Sequence, residues 1–178
     1  MRITISGPPG SGKTTVCGLL SEELGLEAVV FGRIFRELAA EKHLTLGELG
    51  AIAEGDPSID NMIDQRILDI ARANPDIILE SRLSAYMLTR NGIPALRVYL
   101  DASPEVRFAR IGLREGQSLE EAIAETEDRS RSEAKRYMAY YGIDVSDRSV
   151  YDLVINTDDK DPQQVLRIIL ERLGAEKC

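Results

Sequence analysis

Short apolar runs alternate along the chain with longer stretches in which apolar residues recur every three or four positions. The runs at 3–6, 28–30, 76–80, 95–100 and 153–156 predict five strands. Several are apolar throughout rather than alternating, the pattern of parallel strands covered on both faces. Val16, Leu19, Leu20 and Leu24 mark one face of a helix, as do Ile59, Met62, Ile63, Ile67 and Ile70, and again Val165, Ile168, Ile169 and Leu173. Helix starts are signalled by Asp56-Pro57, Ser103-Pro104 and Asp161-Pro162. Each pairs an N-cap residue with a proline whose missing N–H costs nothing in a first turn. Thr45 with Glu48, and Ser118 with Glu121, have capping-box spacing. Strands separated by helices predict one α/β domain, with helical insertions at about 31–73 and about 107–141. A chain of 178 residues suffices for such a domain and a sizeable core.

Between the first strand and the first helix stands Gly7-Pro8-Pro9-Gly10-Ser11-Gly12-Lys13-Thr14, which fits G-x-x-x-x-G-K-[ST] at every fixed position. Glycines let the backbone curl until successive N–H groups point inward at phosphate oxygens. The helix that follows adds its free N–H groups and the positive end of its dipole. Lys13 is spaced to reach the β- and γ-phosphates, and the Thr14 hydroxyl to ligate Mg²⁺. A nucleoside triphosphate with Mg²⁺ is the expected ligand. The motif does not name the reaction, because switch GTPases, motor ATPases and small-molecule kinases share it. The Asn-Lys-x-Asp segment that reads guanine is missing: Asn156-Thr157-Asp158-Asp159 lacks the lysine.

Cations narrow the choice. The chain carries 17 Arg and 5 Lys, and Arg is suited to forked contacts with phosphate. Arg36 sits early in the first insertion, and Arg82 follows the third strand, past the end where ligands of parallel sheets gather. Glu80 stands beside it, a carboxylate able to hold Mg²⁺ directly or through water. Arg107, Arg110 and Arg114 share one helix face, and Arg129, Glu133 and Arg136 share another. Solvated faces with ion pairs such as Arg129–Glu133 would explain any one of these arginines. The whole set beside a phosphate loop fits transfer between two polyanions, which repel each other unless many positive charges converge. An arginine-bearing lid would supply those charges on closing and exclude water.

The remaining composition mostly excludes. A net charge of −8 argues against sequence-independent binding to nucleic acid. No apolar run approaches the length of a membrane span, and the first residues, Met1-Arg2-Ile3-Thr4-Ile5, lack the apolar stretch of a secretory signal. A cytoplasmic protein is the expectation. Cys17, Cys178 and the single histidine, His43, have no metal-like spacing, and no disulfide framework exists.

With these residues in place, the chain resembles the nucleoside monophosphate kinases, most closely the short archaeal-type cytidylate kinases. The resemblance rests on Ile3 through Thr15, on Gly32 with Ile34-Phe35-Arg36, and on Ile78-Leu79-Glu80-Ser81-Arg82-Leu83. It continues through Lys135-Arg136-Tyr137, Tyr141-Gly142-Ile143-Asp144 and Tyr151 to Thr157. It implies an α/β P-loop NTPase fold, a five-stranded parallel sheet with helices on both faces. The insertion at about 31–73 would bind the monophosphate and that at about 107–141 would be the lid. The implied reaction is ATP + CMP → ADP + CDP, with dCMP also accepted, Mg²⁺ as cofactor, and neither a nucleic-acid nor a membrane partner; a monomer is expected. The resemblance assigns the ATP phosphates to Gly10, Gly12, Lys13, Thr14 and Thr15, and the CMP phosphate to Arg36 and Arg82. Arg129 and Arg136 would reach CMP or the transferring group from the lid, with Glu133 between them as a base or ribose contact. Arg107 and Arg110 would lie near the donor, and Asn156 and Thr157 would border its adenine.

Two positions depart from the family pattern: Ser81 replaces the usual glycine between acid and arginine, and Arg33 follows Gly32. Met62, Met87 and Met138 read as core, and Asp60, Asp64 and Arg66 as a solvated helix face rather than as groups facing the cytosine. Two rivals stand beside this reading. One is a kinase for another small acceptor, such as AMP or a sugar acid. The other is a nucleotide-dependent switch or RNA-biogenesis factor acting through a partner.

Overall fold

The computed structural model describes residues 1–175; Cys178 lies outside the described residues. Five strands, β1 (Arg2–Ser6), β2 (Ala28–Val30), β3 (Ile77–Glu80), β4 (Leu96–Asp101) and β5 (Leu153–Asn156), form one sheet. All pair in parallel, in the order β2-β3-β1-β4-β5. The helices are α1 (Lys13–Leu24), α2 (Phe31–Glu41), α3 (Leu46–Gly55), α4 (Pro57–Ala73), α5 (Ser84–Arg90), α6 (Pro104–Glu115), α7 (Leu119–Tyr141) and α8 (Pro162–Ala175). The order places the first strand at the centre, with β3 and β4 on either side of it. The chain leaves β1 toward one edge and returns later to the other, so a crevice opens beyond the carboxyl end of β1.

Alternation within the buried strands divides the core. Ile3, Ile5, Ile78, Val98 and Leu100 pack toward α1 and α8, where Val16, Leu20, Val165 and Ile169 meet them. Ile77 and Leu79 point to the other face, against Ile63 and Ile67 of α4, Leu88 of α5 and Tyr137 of α7. A smaller cluster joins α2, α3 and α4 through Ala39, Leu49, Ala53 and Ile59. Both faces are therefore covered, which is why the strands read as continuous apolar runs.

Both capping boxes form: Thr45 and Ser118 accept the backbone N–H of Glu48 and Glu121, whose carboxylates accept the cap N–H in return. Asp56 accepts from the Ser58 N–H at 2.9 Å, and Asp161 from the Gln164 N–H at 2.8 Å. Ser103 departs from expectation. Its side chain caps nothing, while its own N–H donates to Asp158 at 2.7 Å and so ties the start of α6 to the loop after β5. The methionines depart too. Met87 is core, but Met62 and Met138 are 56% and 52% exposed, because helical spacing alone does not say which stripe a neighbour covers. Among the described residues, no helix is long and apolar enough to cross a membrane.

Candidate functional site

The turn from β1 into α1 is built around backbone that only glycine tolerates. Gly7 has φ +145°, and a Cβ there would lie 2.1 Å from the Leu100 carbonyl oxygen. Gly10 has φ +81°, and its Cβ would lie 2.5 Å from the Arg107 carbonyl oxygen. Side chains would thus push the loop off the end of β4 and off α6. Ser11 Oγ and Lys13 Nζ both donate to the Pro8 carbonyl, at 2.9 and 2.8 Å, and hold the loop closed on itself.

A chamber of about 350 Å³ opens on one side of this loop. Its floor is Pro9, Gly10 and Gly12 through Thr15. The loop after β3 contributes Glu80, Ser81 and Arg82; α2 contributes Phe35 and Arg36; α7 contributes Arg129, Glu133, Arg136 and Tyr137. Elements far apart in sequence thus bring Arg36, Arg82 and Arg129 to the chamber that Lys13 faces. Arg82 pairs with Glu133 at 2.8 Å. The Arg129–Glu133 ion pair of the solvated-face alternative does not form, because Glu133 turns to Arg82. Among the described residues Arg36 and Arg129 make no hydrogen bond or ion pair, and burial holds the Arg129 guanidinium below its ordinary range. Lys13 is half-buried; its enclosed ammonium, with Arg82 facing it, is lowered to about 7. Acidic residues line the chamber as well, but Arg36 and Arg129, with no ion-pair partner among the described residues, and the enclosed Lys13 gain when an anion enters.

Thr14 Oγ1 donates to Glu80 Oε2 at 2.9 Å, so both residues proposed for the metal converge at the loop. These are hard oxygen donors, and no cluster of three or more His, Cys, Asp or Glu able to hold a metal occurs among the described residues. Two protein oxygens suit Mg²⁺, which keeps water and substrate phosphate oxygens in its shell.

On the other side of the loop lies a second cleft of about 310 Å³, lined by Gly10 to Gly12, Arg110, Arg114, Thr157, Lys160 and Pro162. Arg110 donates to the Gly10 carbonyl at 3.3 Å and to Thr157 Oγ1 and O at 3.0 and 2.7 Å. Thr157 Oγ1 is also 3.3 Å from the Ser11 carbonyl and 3.0 Å from that of Asp101. Arg107 reaches the Pro9 carbonyl at 3.3 Å, with its Nε buried and unpartnered. Asn156 is not part of this lining; it is exposed and turned to Asp158. Strand alternation explains the exchange: Thr157 faces inward where Asn156 faces out.

Arg136 lines the chamber at 3% exposed, its Nε donating to Asp60 Oδ2 at 2.7 Å and its Nη1 to Ser132 at 2.7 Å. Two expectations change. Asp60 and Asp64 are buried and line the chamber, so they are no solvated face, whereas Arg66 is exposed as expected. The legible signal was their register: positions 60, 64, 67 and 71 step along one stripe of α4 with buried Ile67 and Ala71. As for the departures, Arg33 is exposed and outside the lining, while Ser81 Oγ accepts from the Leu83 N–H at 3.1 Å.

A phosphate loop at the centre of a parallel sheet, facing a chamber into which arginines of α2, α7 and the loop after β3 converge, defines a P-loop kinase. Among solved structures, an uncharacterised protein from Eubacterium ventriosum superposes with a TM-score of 0.71 at 15% identity, covering 98% of each chain. Shikimate kinase from Aquifex aeolicus gives 0.62 at 20% identity, over 99% of this chain and 98% of the other. At such identities these speak for the fold. Sequence relatives carry the finer grouping. Cytidylate kinase from Archaeoglobus fulgidus is 41% identical over 177 residues, 99% of this chain and 97% of its own. Cytidylate kinase from Natronomonas pharaonis is 47% identical over 175 residues, 98% and 90%. The model of the cytidylate kinase-like family matches residues 2–159. The chain belongs to that family.

Proposed function

We propose that the protein is a cytidylate kinase: it transfers the γ-phosphoryl group of ATP to CMP, and to dCMP, giving ADP and CDP. The observation that carries the reading is the convergence of Arg36, Arg82 and Arg129 on a chamber that the Lys13 loop floors, in a chain whose relatives are named for that activity. The net charge of −8 supports small nucleotides rather than nucleic acid as partners.

In this mechanism the phosphate loop and α1 hold the donor phosphates, and the cleft beside Arg110 and Thr157 takes the adenine. Helices α2 to α4 bind the monophosphate, and α6 with α7 acts as the lid. Arg36 and Arg82 grip the acceptor phosphate; Arg82 exchanges Glu133 for it, which frees the Glu133 carboxylate for the ribose. Thr14 and Glu80 would hold Mg²⁺, which when bound would supply positive charge to the donor phosphates. The attacking atom is already an anionic phosphate oxygen, so no general base is required. Positioning and charge stabilisation carry the reaction. Lys13 and Arg129 stabilise the equatorial oxygens in flight. Arg107, whose free Nε lies beside the loop, adds charge at the donor. Arg136 contributes through the wall it builds with Asp60.

The test is ADP release from ATP·Mg²⁺ with CMP, dCMP, UMP, AMP or GMP added singly. CMP and dCMP should stimulate strongly and AMP and GMP not at all. Stimulation by AMP alone would move the protein to an adenylate-type acceptor, and silence with every monophosphate would remove the reading.

A further inference from the structure

We propose that Asp64 is the residue that selects the acceptor base, by accepting a hydrogen bond from the exocyclic amino group of a 4-aminopyrimidine, with the Asp60–Arg136 pair as the wall that positions it. The inference deepens the proposed function and rests on it.

Two carboxylates one turn apart on α4 are buried in very different company. Asp60, 4% exposed, meets Arg136 at 2.7 Å, so its burial is compensated. Asp64, 7% exposed, has no ion-pair partner among the described residues, and its Oδ2 is shut from solvent without a hydrogen bond. Burial raises it to about 7; the Tyr141 hydroxyl and Arg136 pull it down, and Asp60 pushes it further up. An unpaired buried carboxylate destabilises the free fold, and asparagine or leucine would fit α4 at lower cost. Beyond the Tyr141 hydroxyl the group has no partner to serve, and its Oδ2 has none at all, yet it lines the chamber.

Its surroundings suit a flat heterocycle. Phe35, Ile63 and Tyr137 line the same chamber. The Arg136 guanidinium lies 5.8 Å from the centroids of both the Phe35 and the Tyr137 rings, so the Asp60–Arg136 pair braces both aromatic walls. Hydrogen-bond polarity then decides. Ionised, as Asp64 is above about pH 7, a carboxylate only accepts. Cytosine offers it the N4 amino donor, whereas uracil presents the O4 acceptor, whose lone pairs it repels. Asparagine, with both a donor and an acceptor, serves either base.

At about pH 8, where Asp64 is ionised, the experiment measures kcat/KM for CMP and UMP, with wild type and Asp64→Asn, beside the KM for ATP and the melting temperature. Asp64→Asn should lower the CMP:UMP ratio by about ten- to a hundredfold, with the ATP KM within about twofold and melting unchanged or higher. A ratio that stays as in wild type, in a folded variant, overturns the assignment while leaving the cytidylate kinase reading intact. A wild type that CMP does not stimulate overturns both. Should the variant fail to fold, the ligand is changed instead. The 5′-monophosphate of pyrimidin-2-one riboside, which lacks the 4-amino group, should be used at least about tenfold less efficiently than CMP by wild type. Equal use sinks the proposal.

Discussion

The two halves of the site are built differently. On the side proposed for the donor, the phosphate loop, α6 and the loop after β5 are joined by hydrogen bonds already formed in the free protein: Arg110 to Gly10 and Thr157, Thr157 to Ser11 and Asp101, Ser103 to Asp158. On the acceptor side, Arg36 and Arg129 have no partner among the described residues and Arg82 is held by Glu133 at 2.8 Å. In the proposed function the donor side is hydrogen-bonded before ATP arrives, and the acceptor side gains partners when an anion enters. Charge neutralisation would then depend on the acceptor and would guard ATP against water. Helix α7, proposed as part of the lid, is not separate from α3 and α4, proposed to bind the acceptor. Lys135 meets Glu54 at 2.5 Å, the Tyr140 hydroxyl donates to the Ala53 and Glu54 carbonyls at 2.6 and 2.8 Å, and Arg136 meets Asp60.

The sharpest way to break this comparison is at Lys13, where the halves meet. Lys13→Ala should lower kcat by at least about a thousandfold, the scale of a cation that stabilises transferring phosphoryl oxygens. Folding should respond in the opposite sense. A lysine lowered to about 7 in the folded state and ordinary in the unfolded chain disfavours folding most below about pH 7. That cost fades as pH rises toward about 10, where both states lose the proton. Lys13→Met should therefore raise the melting temperature near pH 6, with a smaller gain at pH 9. A lower melting temperature at pH 6 would mean that the ammonium is not penalised by the site.

The next effect is in the brace between halves of the acceptor chamber. Arg136→Met strands the buried Asp60 carboxylate and should cost about 3–5 kcal/mol of stability. Adding Asp60→Leu should recover most of it. A double variant no better than the single one would remove the ion pair as the cause.

The smallest effects sharpen the division itself. Arg36→Ala should raise the KM for CMP by about tenfold or more, with ATP nearly unchanged, and Arg110→Ala should do the reverse. Equal weakening of both substrates by Arg36→Ala would take Arg36 off the acceptor side.

Local chemistry decided much of this protein in one dimension. Apolar runs placed the strands to within a residue, capping boxes started α3 and α7, and the glycines at 7 and 10 announced a loop no other residue could follow. Arg36 and Arg82, singled out by their places in the first insertion and after the third strand, both line the chamber beside the phosphate loop. Tertiary packing decided the rest. It turned Glu133 to Arg82 rather than to Arg129, faced Thr157 inward in place of Asn156, and left Met62 and Met138 in solvent. It also buried Asp60 with an arginine 76 positions away and Asp64 with none. The spacing of residues along a helix fixes which of them share a face, but the fate of a charge on that face depends on what the fold brings against it.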